Sequence, residues 1–269
     1  APLLGYIVHW LYDRGKRQFT TTRKDWIVLF FLSIFTHPIL DSFTPYGTQL
    51  FTPFSNYRVG FNTISVVDPF YTLPFLICMI VVMFYKRNNL KRLKWTKIGL
   101  YISCFYLLLT SVNKLYVNSL FKKSIASEGF KYTRFQSQPT IFNNLLWYGI
   151  AEGDDAYYAG FYSILDKKPE FSNWNRIEKQ HDVINSENKD IKILRWFSND
   201  YFNLKQIENS NLIEYTDLRY PFLNPNDAST SVFKFQLYWD NPRWNIKPFS
   251  PDFPDDNSWS LFFERIKGE

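Results

Sequence analysis

Four apolar runs, followed by a change of period, organise the chain. The first, Ala1-Pro2-Leu3-Leu4-Gly5-Tyr6-Ile7-Val8-His9-Trp10-Leu11-Tyr12, is about half of what a membrane-crossing helix needs. Trp26 to Ser42, Val66 to Tyr85 and Ile98 to about Val117 each come near the ~20 apolar residues that cross a ~30 Å hydrocarbon core. After Phe121 the pattern becomes an alternation of apolar and polar residues bounded by turn residues, which is the mark of strands. Asn143 to Ala151 and Ala156 to Leu165 read as a hairpin around Glu152-Gly153-Asp154-Asp155. Further strands are expected at Ile191 to Phe197, Leu212 to Asp217, Ser231 to Trp239 and Trp259 to Ile266. The stretch from Asn241-Pro242 through Pro254-Asp255-Asp256 reads as a loop. The expected fold is an α-helical integral membrane region over residues 1–121, followed by a small mostly-β soluble domain over 122–269.

Charge gives the first region a direction. Through Phe121 there are 13 Lys and Arg against 4 Asp and no Glu, whereas the remainder holds 18 basic and 21 acidic residues. Arg14, Lys16, Arg17, Arg23 and Lys24 precede the second run, and Lys86, Arg87, Lys91, Arg92, Lys94 and Lys97 separate the third from the fourth. The intervening loop, Phe43 to Ser65, carries only Arg58. The positive-inside rule puts both basic loops in the cytoplasm and the Arg58 loop outside, so the last span runs outward and everything after Lys122 lies outside the cytoplasm. The expected location is a bacterial inner membrane, crossed several times, with the lipid bilayer as first partner. The soluble half has no basic stripe, so nucleic acid is not an expected partner.

Other classes drop out on composition. Cys78 and Cys104 sit inside apolar runs and read as free thiols packed as small hydrophobes, and no Cys/His metal framework is present. There is no Ser-His-Asp signature, phosphate-binding glycine loop or dinucleotide fingerprint. The opening run lacks a basic n-region and a small-residue cleavage site, so it does not read as a signal peptide. The expectation is a chain that starts part-way through a longer protein. The aromatic residues of the second half, such as Trp147, Tyr157 and Trp196, read as the core of a small sheet, or as lining a ligand groove or resting on lipid headgroups.

The chemistry concentrates in Thr36-His37-Pro38-Ile39-Leu40-Asp41-Ser42. His37 and Asp41 stand at i and i+4, so a helix projects both from one face, close enough to bind a single metal ion. Ionisable groups inside a span are costly and mark function by default, although a structural His and a capping Asp are the plain alternative. Two ligands are too few for a catalytic zinc, which takes three protein donors and a water. Asp68, in Val66-Val67-Asp68-Pro69, is a candidate further ligand, a carboxylate orienting His37, or an N-cap ahead of Pro69. Arg58 is a candidate to hold an anionic group such as phosphate, or an interfacial residue meeting headgroups. His9 lies away from the cluster, and His181 reads as a solvated surface residue.

Thr36-His37-Pro38-Ile39-Leu40-Asp41-Ser42-Phe43-Thr44 with Tyr46-Gly47-Thr48, then Pro53-Phe54-Ser55 and Val67-Asp68-Pro69, resemble the inner-membrane-associated metal-dependent hydrolases of the YdjM type. The second half resembles an extension that some members carry, in Asn144-Leu145-Leu146-Trp147, Asp154-Asp155-Ala156-Tyr157-Tyr158 and Asp217-Leu218-Arg219-Tyr220. The resemblance implies a helical metal-binding core akin to zinc-dependent phospholipase C, with His37 and Asp41 as ligands. It also implies Pro-Asp-Leu-Asp and His-Arg-Gly-x-Thr-His motifs that would supply other ligands; this chain has neither, so these residues alone are expected to bind metal poorly and to be inactive. The expected activity is hydrolysis of a phosphoester or lipid-linked envelope substrate with a divalent ion, zinc first. The alternative is a non-enzymatic, membrane-anchored interaction or scaffold protein.

Overall fold

The computed structural model of the chain describes residues 1–17, 20–185, 188–247 and 256–269. They form two compact units, 1–62 and 63–269.

The first unit is a helical hairpin, α1 (Pro2–Tyr12) and α2 (Arg23–Asp41), followed by a loop. A capping box starts α2: the Thr22 hydroxyl accepts from the Asp25 amide, and the Asp25 carboxylate accepts from the Thr22 amide at 2.8 Å. Gly5 lets the two helices touch, since a Cβ there would lie 2.6 Å from Ile27 Cγ1. No residue of α2 is buried, and Leu29, Phe31, Leu32, Ile34 and Phe35 are all exposed.

In the second unit, α3 (Pro69–Met83) packs along α4 (Leu90–Ser127). With 38 residues α4 is about 57 Å long, and among the described helices it is the one long and apolar enough to cross a membrane by length and composition. The shorter α3, with 15 residues, reaches about 22 Å. The length of α2 is sufficient, but Arg23, Lys24, Asp25 and Asp41 fall within it. The expected boundary at Phe121 lies inside α4, which continues to Ser127.

Two antiparallel four-stranded meanders follow. The first is β1 (Arg134–Pro139), β2 (Leu146–Glu152), β3 (Ala156–Ser163) and β4 (Ser172–Glu178). The second is β5 (Phe202–Gln206), β6 (Ile213–Asp217), β7 (Lys234–Asp240) and β8 (Arg243–Lys247). The acidic turn connects β2 to β3 as the alternation predicts. Sheet one is covered on both faces. Leu146, Tyr148 and Ile150 face a core with Tyr201, Leu218 and Phe222, while Trp147 and Ala151 face Val117, Phe121 and Ile125 of α4. Between those last two, Gly149 sits opposite Gly160, and this pair leaves room for the Phe121 and Trp174 rings.

Two expected strands are helices: α5 (Lys189–Phe197) and α6 (Asp256–Ile266). In α5 the buried Ile191 and half-buried Leu194 are three apart, Asn188 caps the first turn, and Ile193 and Trp196 point out. In α6 the inward residues Trp259, Phe262 and Ile266 also follow the helical period, with Phe263 exposed. The expected loop after Pro242 contains β8, and residues 248–255 of that loop lie outside the described residues.

His181 is not a solvated surface residue. It is half-buried, stacked on Phe202 at 4.0 Å, and its Nε2–H donates to the Phe202 carbonyl at 2.8 Å. Burial holds its imidazole below the ordinary pKa, with Lys179 and Arg195 pushing the same way and the Phe202 carbonyl and Glu152 opposing. The folded state therefore binds this proton less readily than the unfolded chain. The stability that His181 contributes is complete above about pH 6.5 and is lost as the pH falls toward the depressed folded value. Thermal melts between about pH 7.5 and 5.5 should accordingly show a smaller loss in His181→Gln than in the parent protein; equal losses would contradict this assignment.

Candidate metal centre

The last turn of α2 and the loop after it are tied together by backbone bonds. The Phe61 amide donates to the Ser42 carbonyl at 2.7 Å, and Thr48 and Val59 exchange two bonds of 2.9 Å each. Gly47 makes this closure possible, with φ of +71° and a hypothetical Cβ only 3.1 Å from the Val59 carbonyl oxygen. The loop is therefore a closed structure attached to the helix end that carries His37 and Asp41.

Within that end, His37 Nε2 lies 3.4 Å from Asp41 Oδ2, with the side chains 77% and 49% exposed. A tetrahedral ion with bonds of about 2.0–2.2 Å sets neighbouring donor atoms about 3.3–3.5 Å apart. The separation of the pair matches one edge of such a polyhedron, and the same distance suits an ion pair. Among the described residues, no group of three His, Cys, Asp or Glu side chains could hold an ion, so the pair supplies two donors and a third has to reach it.

Arg58 belongs to the same loop. Its guanidinium donates to the Tyr46 carbonyl and lies 5.1 Å from the Tyr46 ring centre.

Asp68 belongs to the second unit and is 2% exposed. Its Oδ1 accepts from the amides of Phe70 and Tyr71, at 2.9 and 3.3 Å, and its Oδ2 accepts from the Tyr106 hydroxyl at 2.8 Å. Of its three readings, the N-cap before Pro69 is therefore present, with a tyrosine occupying the other oxygen. That tyrosine, 38 residues away on α4, is a partner no local pattern announces.

Lys114 had a visible signal, a lysine inside an apolar run, which marks function or a buried partner. Its Nζ donates to the Ser137 carbonyl and, at 2.9 Å, to the Ser137 hydroxyl, which in turn donates to Asn118 at 2.8 Å. These bonds, with Asn113 donating to Asn144 at 2.8 Å, fasten α4 to the first sheet. Glu152, at the hairpin turn, joins Arg134 and Lys179. Burial pushes its carboxyl up, but the hydrogen bonds from Lys179 and Arg134 outweigh this and hold it below the ordinary value.

The model of the family described as YdjM inner membrane protein matches residues 1–117. No curated protein and no solved structure matches the chain.

Proposed function

We propose, from the match of residues 1–117 to the model described as YdjM inner membrane protein, that the chain is a multi-pass membrane hydrolase whose His37 and Asp41 hold a divalent ion. Zinc accepts both imidazole and carboxylate donors. The observation that carries this reading is the 3.4 Å between His37 Nε2 and Asp41 Oδ2 on one helix face. Such an ion supplies Lewis acidity and an acidified water. The protein's part is to orient the two donors on a rigid helical turn and to present Arg58 to an anionic group of the substrate, a phosphoester or lipid-linked envelope compound.

Several crossings are supported by the exposed apolar flanks of α1, α2 and α3, on which Leu3, Trp10, Phe35, Leu73 and Met83 are each more than half exposed. A surface of this kind is stable against lipid and prone to aggregation in water. The alternation of basic loops with a loop that carries only Arg58 supports a β part outside the cytoplasm. A second reading, a membrane-anchored interaction module, is favoured by Ile193, Trp196, Trp239 and Ile246, apolar side chains that the second sheet and α5 leave exposed.

One set of variants in the natural full-length protein, reconstituted in lipid, separates these readings. His37→Ala and Asp41→Ala should each lower metal-dependent phosphoester hydrolysis by more than the about 10–100-fold that loss of an outer metal-site partner costs. Asp68→Asn keeps an oxygen for the two cap bonds and should leave hydrolysis little changed if capping is its role. Hydrolysis that survives His37→Ala would overturn the metal reading. Loss of biological function on altering Trp196 and Trp239, with His37→Ala silent, would establish the interaction module instead.

A further inference from the structure

Where α4 meets the end of the first sheet, the second unit has an open cavity of about 510 Å³. Phe70 of α3, Leu109, Val112 and Tyr116 of α4, and Leu145 and Ile164 of the sheet end line it, and none of its lining residues is charged. This volume is within the ~300–1,000 Å³ typical of sites that bury most of a small ligand. Tyr106, Asn113 and Asn144 also line it, and their polar groups are engaged: the Tyr106 hydroxyl donates to Asp68 at 2.8 Å, the Asn113 amide donates to Asn144 at 2.8 Å, and the Asn144 amide donates to the Thr63 carbonyl at 2.8 Å.

We infer that this groove holds one acyl chain of a membrane phospholipid. The occupant follows from what adjoins it. On α4 the lining continues without a polar break onto exposed Phe105 and Leu108, part of the helix that is apolar and long enough to cross a membrane. At the other end, Phe142, Ile164 and Leu165 are exposed at the tips of the sheet connections. The Phe142 N–H donates to the Val67 carbonyl just before α3, and the Ile164 N–H donates to the Leu145 carbonyl at the start of β2. A soluble ligand would find no charge to recognise, whereas a hydrocarbon chain needs none.

The inference rests on α4 crossing the bilayer and not on the metal pair. It is tested with the full chain in bilayer discs of phosphatidylethanolamine and phosphatidylglycerol containing a phospholipid with a photoreactive diazirine on one acyl chain. Labelled peptides are then mapped by mass spectrometry. The expected result is labelling of Leu145 and Ile164 as well as of the exposed flank around Phe105 and Leu108. Val112→Trp, which fills the groove, should lower labelling at Leu145 by on the order of tenfold, the factor that about 1.4 kcal/mol represents, while Leu108→Trp should leave it unchanged. Labelling confined to the Phe105–Leu108 flank would overturn the groove and leave the membrane reading intact. Absence of label from that flank would overturn the membrane reading itself. Labelling of Leu145 that Val112→Trp does not reduce, or cross-linking of this face to a second copy of the chain, would also overturn the groove.

Discussion

Replacing Arg219 with methionine is expected to destabilise the β part by about 3–5 kcal/mol, because it leaves a buried carboxylate without its counter-charge. Asp217 is fully buried and Arg219 nearly so. The guanidinium donates to both carboxylate oxygens, at 3.0 Å from Nε to Oδ1 and 2.6 Å from Nη2 to Oδ2, while the Arg219 amide donates to Oδ1 at 3.1 Å. The surrounding backbone is used as well. Tyr148 donates to the Leu218 carbonyl at 3.0 Å, and the Gln138 side chain donates to the Arg219 carbonyl. Burial opposes charge on the guanidinium, yet Asp217 outweighs it and the pKa of Arg219 is raised. Denaturant unfolding followed by near-ultraviolet circular dichroism reads the effect. The double variant Asp217→Val with Arg219→Met should recover most of the loss, since replacing both members of a buried pair is often neutral. A single variant as stable as the parent would mean that water reaches the pair.

The second large effect is expected at the junction of helix and sheet. A Cβ at Gly149 would lie 2.3 and 2.4 Å from Phe121 Cε2 and Cδ2, far inside the ~3.5–4.0 Å of carbon contact. The Phe121 ring cannot retreat, because Phe171, Phe135 and Trp174 surround it at centroid distances of 4.8, 5.4 and 5.7 Å. Overpacking of this kind costs about 1–3 kcal/mol, and Gly149→Val should reach the upper part of that range. The α4 and β2 amides at the contact should lose protection from hydrogen exchange together. Combining Gly149→Ala with Phe121→Leu should recover part of the cost, as expected for residues in contact; strictly additive effects would contradict the junction as described.

Much of this architecture is legible in the chain itself. The hairpin around Glu152-Gly153-Asp154-Asp155 is local, and alternation together with turn residues suffices to find it. The capping box at Thr22 and the i, i+4 spacing of His37 and Asp41 are equally local. The apolar run Ile191 to Phe197 fits two periods at once, and only the Asn188 cap, one residue before α5, favours the helix. The same ambiguity hides α6, whose decisive feature is distant in sequence: Arg265 pairs with Asp166 at 2.7 Å across 99 residues. The Asp68–Tyr106 bond and the bonds of Lys114 to Ser137 are likewise products of the tertiary fold, so no window of sequence contains both partners. His181 misleads for the opposite reason. Its neighbours Lys179, Gln180 and Asp182 are polar, but the ring turns inward onto Phe202.

Metal content most directly tests whether the His37–Asp41 pair grips a cation. The natural full-length protein and its His37→Ala, Asp41→Ala double variant, purified side by side without chelators, are compared by elemental mass spectrometry and by titration with zinc. The account predicts that the parent protein binds the ion and that the double variant, equally folded, loses that binding. Equal metal content in the two proteins, or a parent that takes up no zinc, manganese or iron, would contradict it.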